Sequence, residues 1–110
     1  MAKANDKKVV KQARELLLGT IGNLLESHRE RRFTYAQRAR PLPRRLFCRR
    51  NNLDQGIVAF IETGRFLSLD FGRLRHYLAT VYARNDADFV TSVRKVYDGL
   101  KELGDLLREL

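Results

Sequence analysis

The chain holds one cysteine, Cys48, in 110 residues. A lone thiol excludes an internal disulfide framework and a cysteine-rich metal site. Packed filler is the simpler reading of Cys48 than a reactive thiol. Histidine is nearly as scarce, with only His28 and His76. No HExxH, phosphate-loop or nucleophile-elbow pattern accompanies them. Asp86 and Asp88 lie close together, but helix capping explains them more simply than metal binding. The expectation is therefore a non-enzyme with no catalytic residue, no metal and no cofactor. No apolar run reaches the roughly 18 residues of a membrane-spanning helix, so no membrane partner is expected. The opening MAKANDKKVV lacks the apolar stretch of a secretory signal, and an intracellular location, cytoplasm or nucleus, follows as an expectation. Zinc-finger spacing and the glycine-rich aromatic motif of RNA-recognition sheets are also missing.

Acid is scarce in one place in particular. The segment 29–50, RERRFTYAQRARPLPRRLFCRR, has Glu30 as its only acidic residue against nine arginines: Arg29, Arg31, Arg32, Arg38, Arg40, Arg44, Arg45, Arg49 and Arg50. It carries +8 of a net charge of +9, the other segments nearly cancelling. Charge concentrated this way in a short chain points to a polyanionic partner. Arginine presents a rigid fork of donors that matches phosphate geometry, and each neutralised phosphate releases counterions. Phe33, Tyr35 and Phe47 are interleaved with the arginines. Phe33 and Tyr35 are candidates for stacking on bases, whereas Phe47 reads as an anchor to the core.

Apart from that segment, the pattern is helical. Residues 6–28 are expected to form a helix capped by Asn5 or Asp6, its apolar residues Val10, Ala13, Leu17, Leu18, Ile21, Leu24 and Leu25 falling at helical spacing. Gly19 and Gly22 inside it suggest close approach of another helix. Residues 29–40 are free of proline and glycine, and whether they extend this helix is open. Pro41 and Pro43 stop helix, so Leu42–Arg50 is expected as an extended basic connector. Asn51 or Asn52 would cap a short buried helix over 53–63, ended by Gly64, with a strand across Ile57–Ile61 as the alternative. After a turn at 65–67, Ser68 would cap a third helix, with Phe71, Leu74, Leu78 and Val81 facing inward. In the last helix Phe89, Val93, Val96, Leu100, Leu103, Leu107 and Leu110 alternate at spacings of four and three, a heptad seam. Val93, Val96, Leu100, Leu103 and Leu107 then serve the core of a bundle or an interface with a second subunit. The resulting expectation is one all-α domain over 1–110, a small four-helix fold with an arginine-rich arm or helix end between helices 1 and 2.

The segment Leu69–Val81, LDFGRLRHYLATV, resembles a helix of the small helical subunit of type III CRISPR effector complexes, through Leu74, Arg75 and Leu78. That resemblance implies a subunit of a ribonucleoprotein that lines a guide RNA. A helix-turn-helix over 53–82, presenting Arg73, His76 and Arg84 to DNA, is a further alternative. The sequence favours a nucleic-acid-binding protein, RNA ahead of DNA, that contacts phosphates through Arg29–Arg50 without reading bases. RNA suits this because the deep major groove of its duplex hides the bases. The competing expectation is a helical adaptor that docks a protein partner or forms a homodimer.

Overall fold

The computed structural model describes residues 2–37 and 40–109, with side chains from Asp6 onward. Five α-helices appear among them: α1 (Ala2–Arg32), α2 (Arg44–Asn51), α3 (Gln55–Glu62), α4 (Phe71–Tyr82) and α5 (Ala87–Glu109), with a single 3-10 turn at Phe66–Ser68. The all-α expectation holds, but the count of four helices is corrected to five. The additional helix is α2, which occupies the supposed extended connector. Pro43 does not prevent it. It sits at the N-cap with φ −56°, where its fixed dihedral and missing N–H cost a helix nothing. Phe47 and Cys48 are buried on the underside of α2 and tie it to the core.

The helix ends also differ from their expected caps. Asn51 closes α2, and Asn52 is its left-handed C-cap at φ 54°. Asparagine serves both N-caps and left-handed C-caps, so its presence did not distinguish them. The N-cap of α3 is Asp54, whose Oδ1 accepts from the Ile57 N–H at 2.9 Å. Ser68 ends the 3-10 turn, and Asp70 precedes α4. Helix α1 starts at Ala2, ahead of Asn5 and Asp6, and stops at Arg32. Beyond it the chain reverses: the Leu42 N–H donates to the Phe33 carbonyl at 2.9 Å and the Tyr35 N–H to the Arg40 carbonyl at 3.0 Å.

The core lies where α3 and α4 pack against the second half of α1, around Leu18, Leu25, Phe47, Val58, Ile61, Tyr77, Leu78 and Val81. Two glycines set the closest approach. A Cβ on Gly22 would lie 2.6 Å from the Glu62 carbonyl oxygen. A Cβ on Gly64, at φ +83°, would lie 2.7 Å from the Leu18 carbonyl oxygen. Backbone therefore meets backbone at this crossing, and the last turn of α3 is pressed onto α1. Gly19, by contrast, has nothing within 4 Å of where its Cβ would be. The first half of α1 leaves this core and runs beside α5, so the molecule is elongated, 58 × 29 × 19 Å.

Candidate nucleic-acid interface

The crossing of α1 and α3 decides which arginines reach solvent. Gly22, Glu26 and Arg29 follow one another along one face of α1, and Glu62 closes α3 opposite them. Glu62 is 1% exposed and Arg29 is 3% exposed. Arg29 donates from Nε to Glu62 Oε2 at 2.5 Å and from Nη2 to Oε1 at 3.0 Å. Arg44, from the start of α2, donates through Nε to the same Oε1 at 3.0 Å and through Nη2 to Glu26 Oε2 at 2.8 Å. The Tyr77 hydroxyl of α4 adds a bond to Oε2 at 2.6 Å. One carboxylate thus joins four helices. Burial pushes the Glu62 carboxyl up, but hydrogen bonds from Arg29 and Tyr77 and the nearby cations outweigh it and hold it below the usual carboxylate range. Burial and the bond to Glu62 push the Tyr77 hydroxyl far above the usual phenol range, so it stays a donor. Burial works against the Arg29 charge, and the Glu62 partner more than offsets it.

Two of the nine arginines are thereby removed from the expected phosphate-binding set. Arg29 is enclosed and Arg44 is tied to two carboxylates. Arg32 donates from Nε to the Val81 carbonyl at 2.7 Å, at the C-terminal end of α4, where a cation is favoured by the helix dipole. Arg38 lies outside the described residues. Arg31, Arg32, Arg40, Arg45, Arg49 and Arg50 are exposed, and none of them forms a salt bridge to a described carboxylate.

Helix α2 sorts its side chains by face. Phe47 and Cys48 point inward, while Arg45 and Arg49, one turn apart, lie on the opposite side with Arg50 beside them. The reversal contributes Tyr35, 39% exposed, next to Arg40. Phe33 does not join it: its ring packs on Phe47 at 4.7 Å between centroids, and both are anchors. Sequence spacing could not separate the inward from the outward arginines. The signal for Arg29 was its place two helical turns after Gly22, on the face that a close helix approach must cover.

Cys48 is a buried free thiol whose pKa burial raises, which makes it packed filler. His28 Nδ1 meets the Tyr82 hydroxyl at 2.5 Å. Among the described residues, no group of three or more His, Cys, Asp or Glu side chains is placed to hold a metal. No described helix is long and apolar enough to cross a membrane. The connection between α3 and α4 spans residues 63–70, longer than the three or four residues of a helix-turn-helix. Arg84 lies past the end of α4, paired with Asp86 at 2.9 Å. Leu74 and Leu78 are core residues, and Arg75 donates to Asn85 Oδ1 at 3.1 Å.

The heptad seam of α5 is only partly covered. Leu107 is buried, Val93, Leu100 and Leu103 are half-buried, and Val96 is 59% exposed. Tyr97, adjacent to the seam, is buried instead, its hydroxyl donating to the Leu69 carbonyl at 2.6 Å. An apolar cleft of about 260 Å³ runs between α1, α4 and α5, lined by Ile21, Leu25, Leu78, Val93, Val96 and Leu100. Val10, Leu17 and Leu24 stand exposed on α1 at heptad spacing.

No family model, no curated protein and no solved structure matches this chain.

Proposed function

We propose that this protein binds nucleic acid, RNA in preference to DNA, by laying the outer face of α2 and the reversal before it along phosphates. Arg45, Arg49 and Arg50 are the central contacts, with Arg31 and Arg40 flanking them and Tyr35 available to stack on a base. The observation that carries this reading is the two-sided construction of α2. Arg44 is bound inward to Glu62 and Glu26, while its neighbours Arg45 and Arg49 face solvent without a carboxylate partner among the described residues. A basic face mounted on a helix in this way loses little backbone freedom on meeting a phosphate. Nothing in the set resembles a base-reading code, so recognition is by charge and shape. Replacing Arg45, Arg49 and Arg50 by glutamine tests it. Binding to duplex RNA should weaken by at least about tenfold, and the salt dependence should become shallower by roughly three phosphate contacts, with helicity unchanged. Unchanged binding sinks the proposal.

A second reading is favoured by the exposed apolar stripe of α1 and α5. In it the chain is a helical adaptor or ribonucleoprotein subunit, of the kind the resemblance to the small type III CRISPR subunit implies. Val96, with Val93, Leu100 and Leu103, would pack against a second copy or a helical partner. The two readings are compatible, because the stripe and the face of α2 use different residues.

A further inference from the structure

A second cationic site lies outside the arginine segment. The first half of α1, the turn after α3 and the last half of α5 enclose a cleft of about 580 Å³ lined by Arg14, Arg65, Ser68, Lys101, Asp105 and Arg108. That volume is within the range of small-molecule sites. Four cations face one carboxylate, and Asp105 is already paired with Arg108. Lys101, four residues before Asp105 on α5, does not pair with it: its ammonium lies over the Tyr97 ring, 4.8 Å from its centroid. Arg65 is held over Phe60 at 5.6 Å. Aromatic faces hold these cations in place without cancelling their charge.

Arg14 is the least satisfied of the four. Its one described side-chain bond is long, from Nη2 to the Leu100 carbonyl at 3.5 Å. Its Nε is buried without a hydrogen-bond partner. A buried charged donor without an acceptor is costly, and native structures seldom keep one unless something else meets it. Gly104 makes room for this side chain: a Cβ there would lie 2.8 Å from Arg14 Nη2. A neighbouring cleft of about 380 Å³ shares Arg14 and Arg108 and adds Lys7 and Lys11.

We infer that this cleft binds a phosphate-bearing anion, with Arg14, Arg65 and Lys101 as the ligating cations. The inference goes beyond the proposed face on α2 and does not depend on it. The phosphate has two sources, a small phosphorylated molecule or the backbone of a nucleic acid. The test is calorimetric titration of the full chain with inorganic pyrophosphate, with amide NMR shifts to locate it. Saturable binding should shift the Gly64, Ser68 and Lys101 amides. Arg65→Gln and Lys101→Gln, both exposed and safe for folding, should each weaken binding by about tenfold, the size of one charge-assisted hydrogen bond. Gly104→Ala should weaken it too by displacing Arg14. Lys95→Gln, and the triple glutamine variant of α2, should leave it unchanged. Displacement of pyrophosphate by a short single-stranded oligonucleotide identifies the backbone as the source. Persistence of pyrophosphate binding in its presence identifies a small molecule. Shifts spread over every basic surface, or equal affinity in Arg65→Gln and Lys101→Gln, overturn the assignment.

Discussion

Arg29 and Glu62, 33 positions apart in the chain, meet through two hydrogen bonds in a site closed to solvent at the junction of α1 and α3. The glycine contact at Gly22 brings the two helices close enough for this pair. Arg44 and Tyr77 extend it to α2 and α4. Glu62→Gln keeps the shape and removes the charge, leaving Arg29 enclosed without a counter-ion. Urea unfolding should show a loss of about 3–5 kcal/mol. Adding Arg29→Met to a Glu62→Met variant should lose less than the two single changes summed, because the orphaned charge is then removed as well. A Glu62→Gln loss under about 1 kcal/mol, the range of exposed pairs, contradicts the account.

The same carboxylate gives a defined pH dependence. Glu62 titrates below its usual 4.5 in the folded state, because the bonds from Arg29 and Tyr77 outweigh the opposing effect of burial. A folded value below the unfolded one means that the folded state binds the proton less tightly. The stability it contributes is complete above about pH 4.5 and is lost as pH falls through the folded value. Asp86, held at about 2 by the hydrogen bond from Arg84 and then by the Phe89 N–H, acts in the same direction at the surface. Comparison with Glu62→Gln isolates the buried group. The stability gap between wild type and this variant should be constant near neutral pH and should narrow below about pH 4.5. A gap that widens with acid contradicts the assignment.

Two glycines one turn apart on α1 should respond oppositely to alanine. Gly22→Ala places a methyl group 2.6 Å from a backbone carbonyl oxygen that cannot move aside alone. A loss of about 1–3 kcal/mol is expected despite the better helix propensity of alanine. Gly19→Ala meets nothing within 4 Å and should gain about 0.5–1 kcal/mol. Thermal unfolding of the two variants checks both signs. If both stabilise, the close crossing of α1 and α3 is not as described.

The exposed stripe on α5 makes its own prediction. Val96→Glu adds a charge at a solvent-facing position, so stability should change by no more than about 0.5 kcal/mol. If a second copy covers the cleft, sedimentation velocity should show self-association in the wild type and a monomer in Val96→Glu. A wild type that remains monomeric at high concentration removes the homodimer from the second reading.

Much of the fold was legible because the apolar spacing in α1, α3, α4 and α5 is regular and the two prolines are confined to positions 41 and 43. Helix α2 was not, because Pro43 reads as a stop and is here a start. The caps Asp54 and Asp70 were misplaced by two or three residues, since asparagine and serine nearby carry the same local signal. The basic segment was visible as charge alone. Its division into Arg29 and Arg44 turned inward and Arg45, Arg49 and Arg50 turned outward depends on Glu62, 33 and 18 positions away from the first two. The cleft around Arg14 was hidden for the same reason: its cations come from α1, the turn after α3 and α5.

The central claim is that the outer face of α2 binds RNA. Its most direct test is titration of the purified chain against a duplex RNA of about 25 base pairs, the same sequence as DNA, and a single strand, across a salt series. The account predicts that duplex RNA binds tightest, that this preference persists near about 0.15 M salt, and that it collapses when Arg45, Arg49 and Arg50 become glutamine. Equal affinity for all three nucleic acids, falling away together as salt rises, contradicts it.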